Sequence, residues 1–437
     1  MKKYRALVPI VLIVLMVTSW YVLINDTYAI QNEYNTTLAE ARKYAENGIT
    51  KYAIEKYNHV LEMQSSADIY AEVADYYKSQ GLMAEYQTWS EGFFELYPTE
   101  PKAYDRVLDA YLQKKDYDSC YDILQTAQKR SISTDFIKQT SEEIKYSYKL
   151  DFNTYTDVSV YSSKYCPVSN NDLWGYVDRF GKVRIACKYN QVGAYTQTDF
   201  APVVNGEGEA YFIDKSGEKV LVSKEKYQRF GLLLNNMMSA QREDGKYTYV
   251  DTDFNVLFGE YDYASTMNFE VGAVKVGDTW QIIGKDGLPL IDAEYLDVKM
   301  DEKEVAYRND RLFVSTADGE YIMIDKMGNQ IGSLKFEDAK VFAGDAPTAV
   351  KIDGQWCFVD ANGALISDQK YDDARAFSND LAAVCVNGKW GFVDRDENIV
   401  IDLQFFDARD FNEKGSCFVK TGDRWQLLKL YRLNREG

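Results

Sequence analysis

The chain has 437 residues, 46% of them hydrophobic and 14% aromatic, which is enough material for two or three packed domains. Its 50 Lys and Arg stand against 68 Asp and Glu, a net charge of -18 that repels phosphate backbones and argues against nucleic acid as a partner. His59 is the sole histidine, so proton transfer or metal ligation by imidazole has almost nothing to draw on.

Residues 1–5 carry Lys2, Lys3 and Arg5, and the run 6–24 that follows is uncharged up to Asn25 and Asp26. As a helix it would measure roughly 28 Å, close to the hydrocarbon thickness of a bilayer. It is longer than the ~7–15 residue core of a signal peptide, so it predicts a membrane-spanning anchor rather than a cleaved leader. The basic tip then places the N-terminus in the cytoplasm and the bulk outside, as in a single-pass cell-membrane protein.

Residues 30–147 read as helical repeats. YAENG at 44–48, YYKSQG at 76–81 and YLQKKD at 111–116 superimpose, with turns at Gly48, Gly81 and Lys115, a period of 33 and 34 residues. Pro98 ends one helix, Thr99 is the expected N-cap of the next before Glu100 and Pro101, and a capping helix is expected over 134–146. The pattern resembles the tetratricopeptide family, which implies a groove for a peptide; a stalk or a dimer contact is the other reading.

Residues 148–437 are a β-repeat domain. GQWCFVD at 354–360 and GKWGFVD at 388–394 lie 34 residues apart. With six weaker copies there are eight, and the aromatic position falls at Trp174, Ala210 (where the ring is lost), Tyr247, Trp280, Tyr321, Trp356, Trp390 and Trp425. A marker such as Tyr371-Asp372-Asp373-Ala374 precedes the ring by about twenty residues, and 301–311 is an insertion in the fifth copy. Asn387-Gly388 between alternating runs predicts a hairpin. The aspartates Asp178, Asp214, Asp251, Asp325, Asp360 and Asp394 each open a second turn of the form DxxG or close to it. These features resemble the WG (KWG) repeat family. Seven or eight small antiparallel sheets suggest a β-propeller or another closed or stacked β array, and a strand over 146–152 is in register to seal a ring beside the last copy.

The expected fold is thus a multidomain α + β chain: a transmembrane helix at 6–24, a short tetratricopeptide-like α-solenoid at 30–147, and an all-β propeller-like domain at 148–437. Aspartates that recur in every unit serve turns rather than one asymmetric active site, and the ring residues read as packing between sheets, so no catalytic residue is assigned. Asp251-Thr-Asp253-Phe-Asn255 lacks the glycine and glutamate of a calcium loop, so no metal or cofactor is assigned either. The cysteines at 120, 166, 187, 357, 385 and 417 read as small buried hydrophobes, with disulfides left open. The function expected is a membrane-anchored, extracytoplasmic protein-interaction scaffold without catalytic activity. The alternative is a glycan- or cell-wall-binding lectin-like protein using Tyr261, Tyr263 or Trp280.

Overall fold

The computed structural model describes residues 7–344 and 347–433, which separate into two compact units between Lys145 and Tyr146.

The first unit holds the helices Leu7–Glu46, Thr50–Met63, Ala67–Ser79, Met83–Leu96, Pro101–Gln113, Tyr117–Lys129 and Asp135–Ile144. Apolar residues three and four apart give each helix one buried stripe. Ala53, Tyr57 and Val60 meet Ile69, Val73 and Tyr76 in one such seam. The three aligned turns share one backbone solution. Gly48, Gly81 and Lys115 take φ of 68°, 69° and 56°, and the following amides, of Ile49, Leu82 and Asp116, donate to Tyr44, Tyr77 and Tyr111 at 2.9 to 3.0 Å. This is the left-handed helix stop that favours glycine. Pro101 is in the first turn of its helix with Glu100, not Thr99, at the N-cap, because proline needs no amide partner there. Thr134 does cap its helix, accepting from the Ile137 amide at 3.0 Å.

The expected membrane span is overturned. Among the described residues no helix is long and apolar enough to cross a membrane. The apolar run does not end as a separate element near Ile24. It continues as a single 40-residue helix, Leu7–Glu46, through Asn25, Asp26, Glu33 and Glu40. The single-pass placement, with a cytoplasmic N-terminus and the bulk outside, falls with the span on which it rested. The basic tip 1–5 and Ala6 lie outside the described residues.

The second unit is an eight-bladed β-propeller. Blade 1 is Asp157–Val158, Tyr165–Asn170, Leu173–Asp178 and Val183–Tyr189, and blade 7 repeats it as Asp373–Ala374, Ala382–Val386, Lys389–Val393 and Ile399–Phe405. Blades 2 and 3 also have four strands, whereas blades 4, 5 and 6 keep three, with single bridges such as Trp356 to Tyr371 standing for the outer one. Blade 8 takes three strands from the C-terminal end and its fourth, Tyr148–Tyr155, from the start of the unit. That exchange leaves no unpaired edge where the ring closes.

The core is a ring of seams between neighbouring blades. Tyr155, Val158 and Cys166 of blade 1 pack on Phe418, Trp425 and Leu427 of blade 8, and equivalent clusters join each remaining pair. The cysteines are all free; five are buried and Cys187 is half-buried.

The glycine after the repeat tryptophan has a steric cause. A Cβ on Gly175 or Gly391 would sit 2.4 Å from the Ile185 carbonyl oxygen or 2.5 Å from that of Ile401, on the next strand. In blade 3 the same position is Thr248, which turns the close approach into a bond by donating its hydroxyl to the Phe258 carbonyl at 2.9 Å.

Candidate functional site

Each repeat aspartate organises a turn. Asp178 Oδ1 accepts the amides of Phe180 and Lys182 at 2.9 and 3.0 Å. Asp214, Asp251, Asp325, Asp360 and Asp394 accept the equivalent two amides at 2.8 to 3.0 Å. The Asp251 carboxyl is held below its usual range first by its hydrogen bond from the Asn255 side chain and further by those two amides, which together outweigh the opposing effect of desolvation. Tyr247, Trp280, Tyr321, Trp356, Trp390 and Trp425 are buried in or beside the seams; Trp174 is half-buried. The structure does not gather these thirteen residues at one place. Among the described residues no three His, Cys, Asp or Glu side chains are set to hold a metal.

What does gather is the variation. Every blade lends residues from the segment that follows its innermost strand to a central cavity of about 910 Å³, lined from Tyr161 in blade 1 round to Asp410 in blade 8. The residue after that strand is structurally equivalent in all eight blades, because its amide always donates to the second strand, at 2.8 to 3.0 Å. It is Ser159, Gly193, Gly231 and Ser265 in blades 1 to 4 and Lys299, Lys340, Arg375 and Arg409 in blades 5 to 8. The eight equivalent positions are therefore half small and half cationic, and Lys299, Lys340 and Arg375 line the cavity. Each cation also covers the repeat aromatic of its own blade: Lys299 over Tyr321 at 4.2 Å, Lys340 over Trp356 at 4.6 Å, Arg375 over Trp390 at 5.4 Å and Arg409 over Trp425 at 5.0 Å. The contact draws the positive charge to the ring quadrupole. Lys299 and Arg375 reach across to the next blade, to Asp338 at 2.9 Å and Asp407 at 3.3 Å.

The insertion of blade 5 folds into this channel. Asp301 nucleates it with the same chemistry as the blade turns, Oδ1 accepting from the Lys303 and Val305 amides at 2.9 and 3.0 Å. Blade 4 ties its backbone down, through the Thr266 amide to the Glu304 carbonyl at 2.8 Å and the Thr266 hydroxyl to the Lys303 carbonyl at 3.0 Å. Its side chains reach farther: Glu304 pairs with Arg229 of blade 3, and Glu302 Oε1 lies 3.4 Å from both Arg375 and Arg409. Partly exposed ion pairs contribute only about 0–1 kcal/mol each, so the backbone bonds to blade 4 hold the loop and the Glu302 contacts only steer it.

Asp410 sits behind Glu302, at a position that in the other blades is Val160, Ala194, Leu232, Thr266, Met300, Val341 and Ala376. Its Oδ1 is closed off and accepts no hydrogen bond from a described group. Burial, reinforced by the like charge of Glu302, pushes its carboxyl up to about 6, against the pull of Arg375, Arg409 and Lys303. The Lys303 amine is lowered, first by burial and then by Arg308.

At the channel mouth Phe269 stands 73% exposed with φ of 46°. Equivalent hairpin turns use Ser163-Lys164, Asn235-Asn236, Asn309-Asp310 and Asn379-Asp380. An aromatic ring in a left-handed turn where asparagine is at ease marks stored strain.

The WG containing repeat model matches residues 174–207, 358–390 and 390–425. The chain carries WG repeats. The last match runs from Trp390 to Trp425, so a WG repeat starts in the third strand of one blade and ends in the next, and the last blade must borrow a strand from the start of the unit. No curated protein matches the sequence. Among solved structures, BamB from Moraxella catarrhalis aligns with TM-score 0.42 and 11% identity over 63% of this chain and 96% of that one. The WD40 β-propeller domain of Doa1 aligns with TM-score 0.32 and 12% identity over 55% and 92%. The Sgt2 TPR domain from Aspergillus fumigatus aligns with TM-score 0.22 and 18% identity over 25% and 76%. At these scores the likenesses carry no argument about function.

The sequence reading missed the cationic row and the channel loop. The signal was present in the marker motif, where the residue after Ala or Val turns from small to basic in the last four units.

Proposed function

We propose that the protein is a non-catalytic interaction scaffold whose propeller binds a protein partner across the mouth of its channel. The observation that carries this reading is the placement of asymmetry. Eight blades with the same turns and seams differ most at the channel wall, in the loop that enters it and in the strained Phe269 at its mouth. Side chains that vary among structurally equivalent positions are free of the architectural demand that fixes the rest. The helical unit, with its shared turns at a period near 34 residues, is a tetratricopeptide-like second arm of the same scaffold.

A protein fits better than a glycan. Two of the rings first considered for sugar stacking are engaged within the fold: Tyr263 contacts Tyr247 at 5.1 Å and Trp280 at 5.6 Å, and Trp280 is buried. The test is capture of partners by the full chain, compared with a Phe269→Asn and Lys164→Glu double variant at the channel mouth and a Val256→Ser and Ile399→Ser double variant on the outer strands. A partner lost only with the first pair supports the reading. A partner lost only with the second contradicts it.

A further inference from the structure

Trp174 breaks the rule that the repeat aromatics obey. In blades 5 to 8 a Lys or Arg covers the ring, and the Trp280 and Tyr247 rings of blades 4 and 3 share Tyr263 instead. Blade 2 has no ring, only Ala210. Blade 1 has the tryptophan, but the covering position is Ser159, and among the described residues no ring or cation lies against the indole. The space is left as a cavity of about 300 Å³, whose walls include Ser159, Trp174, Gln191, Gly193 and Arg229. Trp174 is the one half-buried tryptophan of the propeller, and this cavity is where its cover is missing.

We propose that the cavity beside Trp174 takes an alkylguanidinium or alkylammonium group from outside, in the place that Arg375 and Arg409 occupy in their own blades. The fold itself supplies the template: the backbone around Ser159 matches that around Arg375, with amide bonds of 3.0 and 2.9 Å to the second strand. A Lys or Arg side chain of a partner would reach the ring through the cavity that the small Ser159 leaves open. Arg229 in the wall does not oppose this, because its guanidinium is already paired with Glu304. The inference rests on the scaffold reading for its source, a protein side chain, but not for its chemistry. A net charge of -18 favours the approach of a cationic segment.

The test titrates the full chain, labelled with nitrogen-15 at tryptophan, with the tripeptide Ac-Gly-Arg-Gly-NH2, following the indole signals. Matched titrations use Ac-Gly-Glu-Gly-NH2 and n-propylguanidinium. The Trp174 signal should move with the arginine peptide and not with the glutamate peptide. Trp174→Ala, followed through the remaining indoles and by calorimetry, should weaken binding about tenfold. Ser159→Arg should abolish it by supplying the missing cation from within, with the other indole signals unmoved as the sign of an intact fold. Movement of Trp174 by the glutamate peptide instead, or arginine-peptide binding that survives Ser159→Arg unchanged, would overturn the proposal. Tighter binding of the arginine peptide than of n-propylguanidinium assigns the group to a protein; equal binding upholds the cavity's chemistry while removing support for a protein source, so the two readings fail separately.

Discussion

Tyr155 and Trp425 face one another in the antiparallel ladder that joins the first strand of the propeller to the last. The ring of Tyr155 also meets Phe418 edge-on at 5.8 Å, while its hydroxyl is buried without a hydrogen-bond partner among the described residues. At this point the seal between the ends of the unit is an aromatic contact with one polar atom left without a partner among the described residues, while Lys429 pairs with Asp151 at 2.7 Å along the same ladder. Tyr155→Phe should raise stability by about 1 kcal/mol, since it removes that atom and keeps the packing. Tyr155→Ala should lower it by about 3–5 kcal/mol. Chemical denaturation of the two variants checks both signs.

The carbonyl that presses on Gly391 gives a second test. Gly391→Ala places a methyl group 2.5 Å from the Ile401 carbonyl oxygen, closer than the ladder between the two outer strands of the blade allows, so a loss of about 2–3 kcal/mol is expected. Thr248→Ala in blade 3 should cost less, about 1 kcal/mol, because it removes only a hydroxyl bond at a site already wide enough for a Cβ.

Asp410 makes the channel sensitive to pH. An unfolded aspartate titrates near 4, whereas in the folded chain burial, with Glu302, holds it at about 6 against Arg375, Arg409 and Lys303. Between those values the native state binds the extra proton, so this residue's contribution to stability is present at low pH and is lost as pH rises through about 4 to 6. Asp410→Asn should therefore stabilise the protein near neutral pH, by up to about 2–3 kcal/mol, and confer no gain near pH 4. The difference between variant and parent, measured by denaturation across that range, isolates the residue from the other carboxylates.

Two left-handed positions carry side chains that glycine or asparagine would suit better. Lys115→Gly should stabilise the helical unit by about 1 kcal/mol, matching it to Gly48 and Gly81. Phe269→Asn should stabilise the propeller by a similar amount, about 1 kcal/mol, by relaxing the turn. Melting curves of the single variants test the strain; loss of partner capture by Phe269→Asn despite that gain would show what the strain is kept for.

The elements whose cause is local were legible in the chain. The Asp-led turns, the spacing of the tryptophans and the helix stops at Gly48, Gly81 and Lys115 each arise from a few neighbouring residues, so their motif states their geometry. The strand anticipated over 146–152 lies at Tyr148–Tyr155, because the register of the last repeat left a place for it. The apolar run 6–24 misled, since its length suggested a bounded span whereas the helix carrying it continues to Glu46. The channel was not legible for a different reason. Lys299, Lys340, Arg375 and Arg409 are separated by 34 to 41 residues and read singly as surface charges. Only ring closure aligns them on one wall and sets Glu302, from an insertion that looked like loosened repeat, between two of them.

The central claim is that the channel mouth is the working face, and a photo-crosslinking amino acid placed in turn at Phe269 and at Ile399 tests it most directly. Both are exposed, one at the channel and one on an outer strand. Crosslinks to one defined protein from position 269, with none from 399, are expected. The same adducts from 399 and none from 269 would contradict the claim.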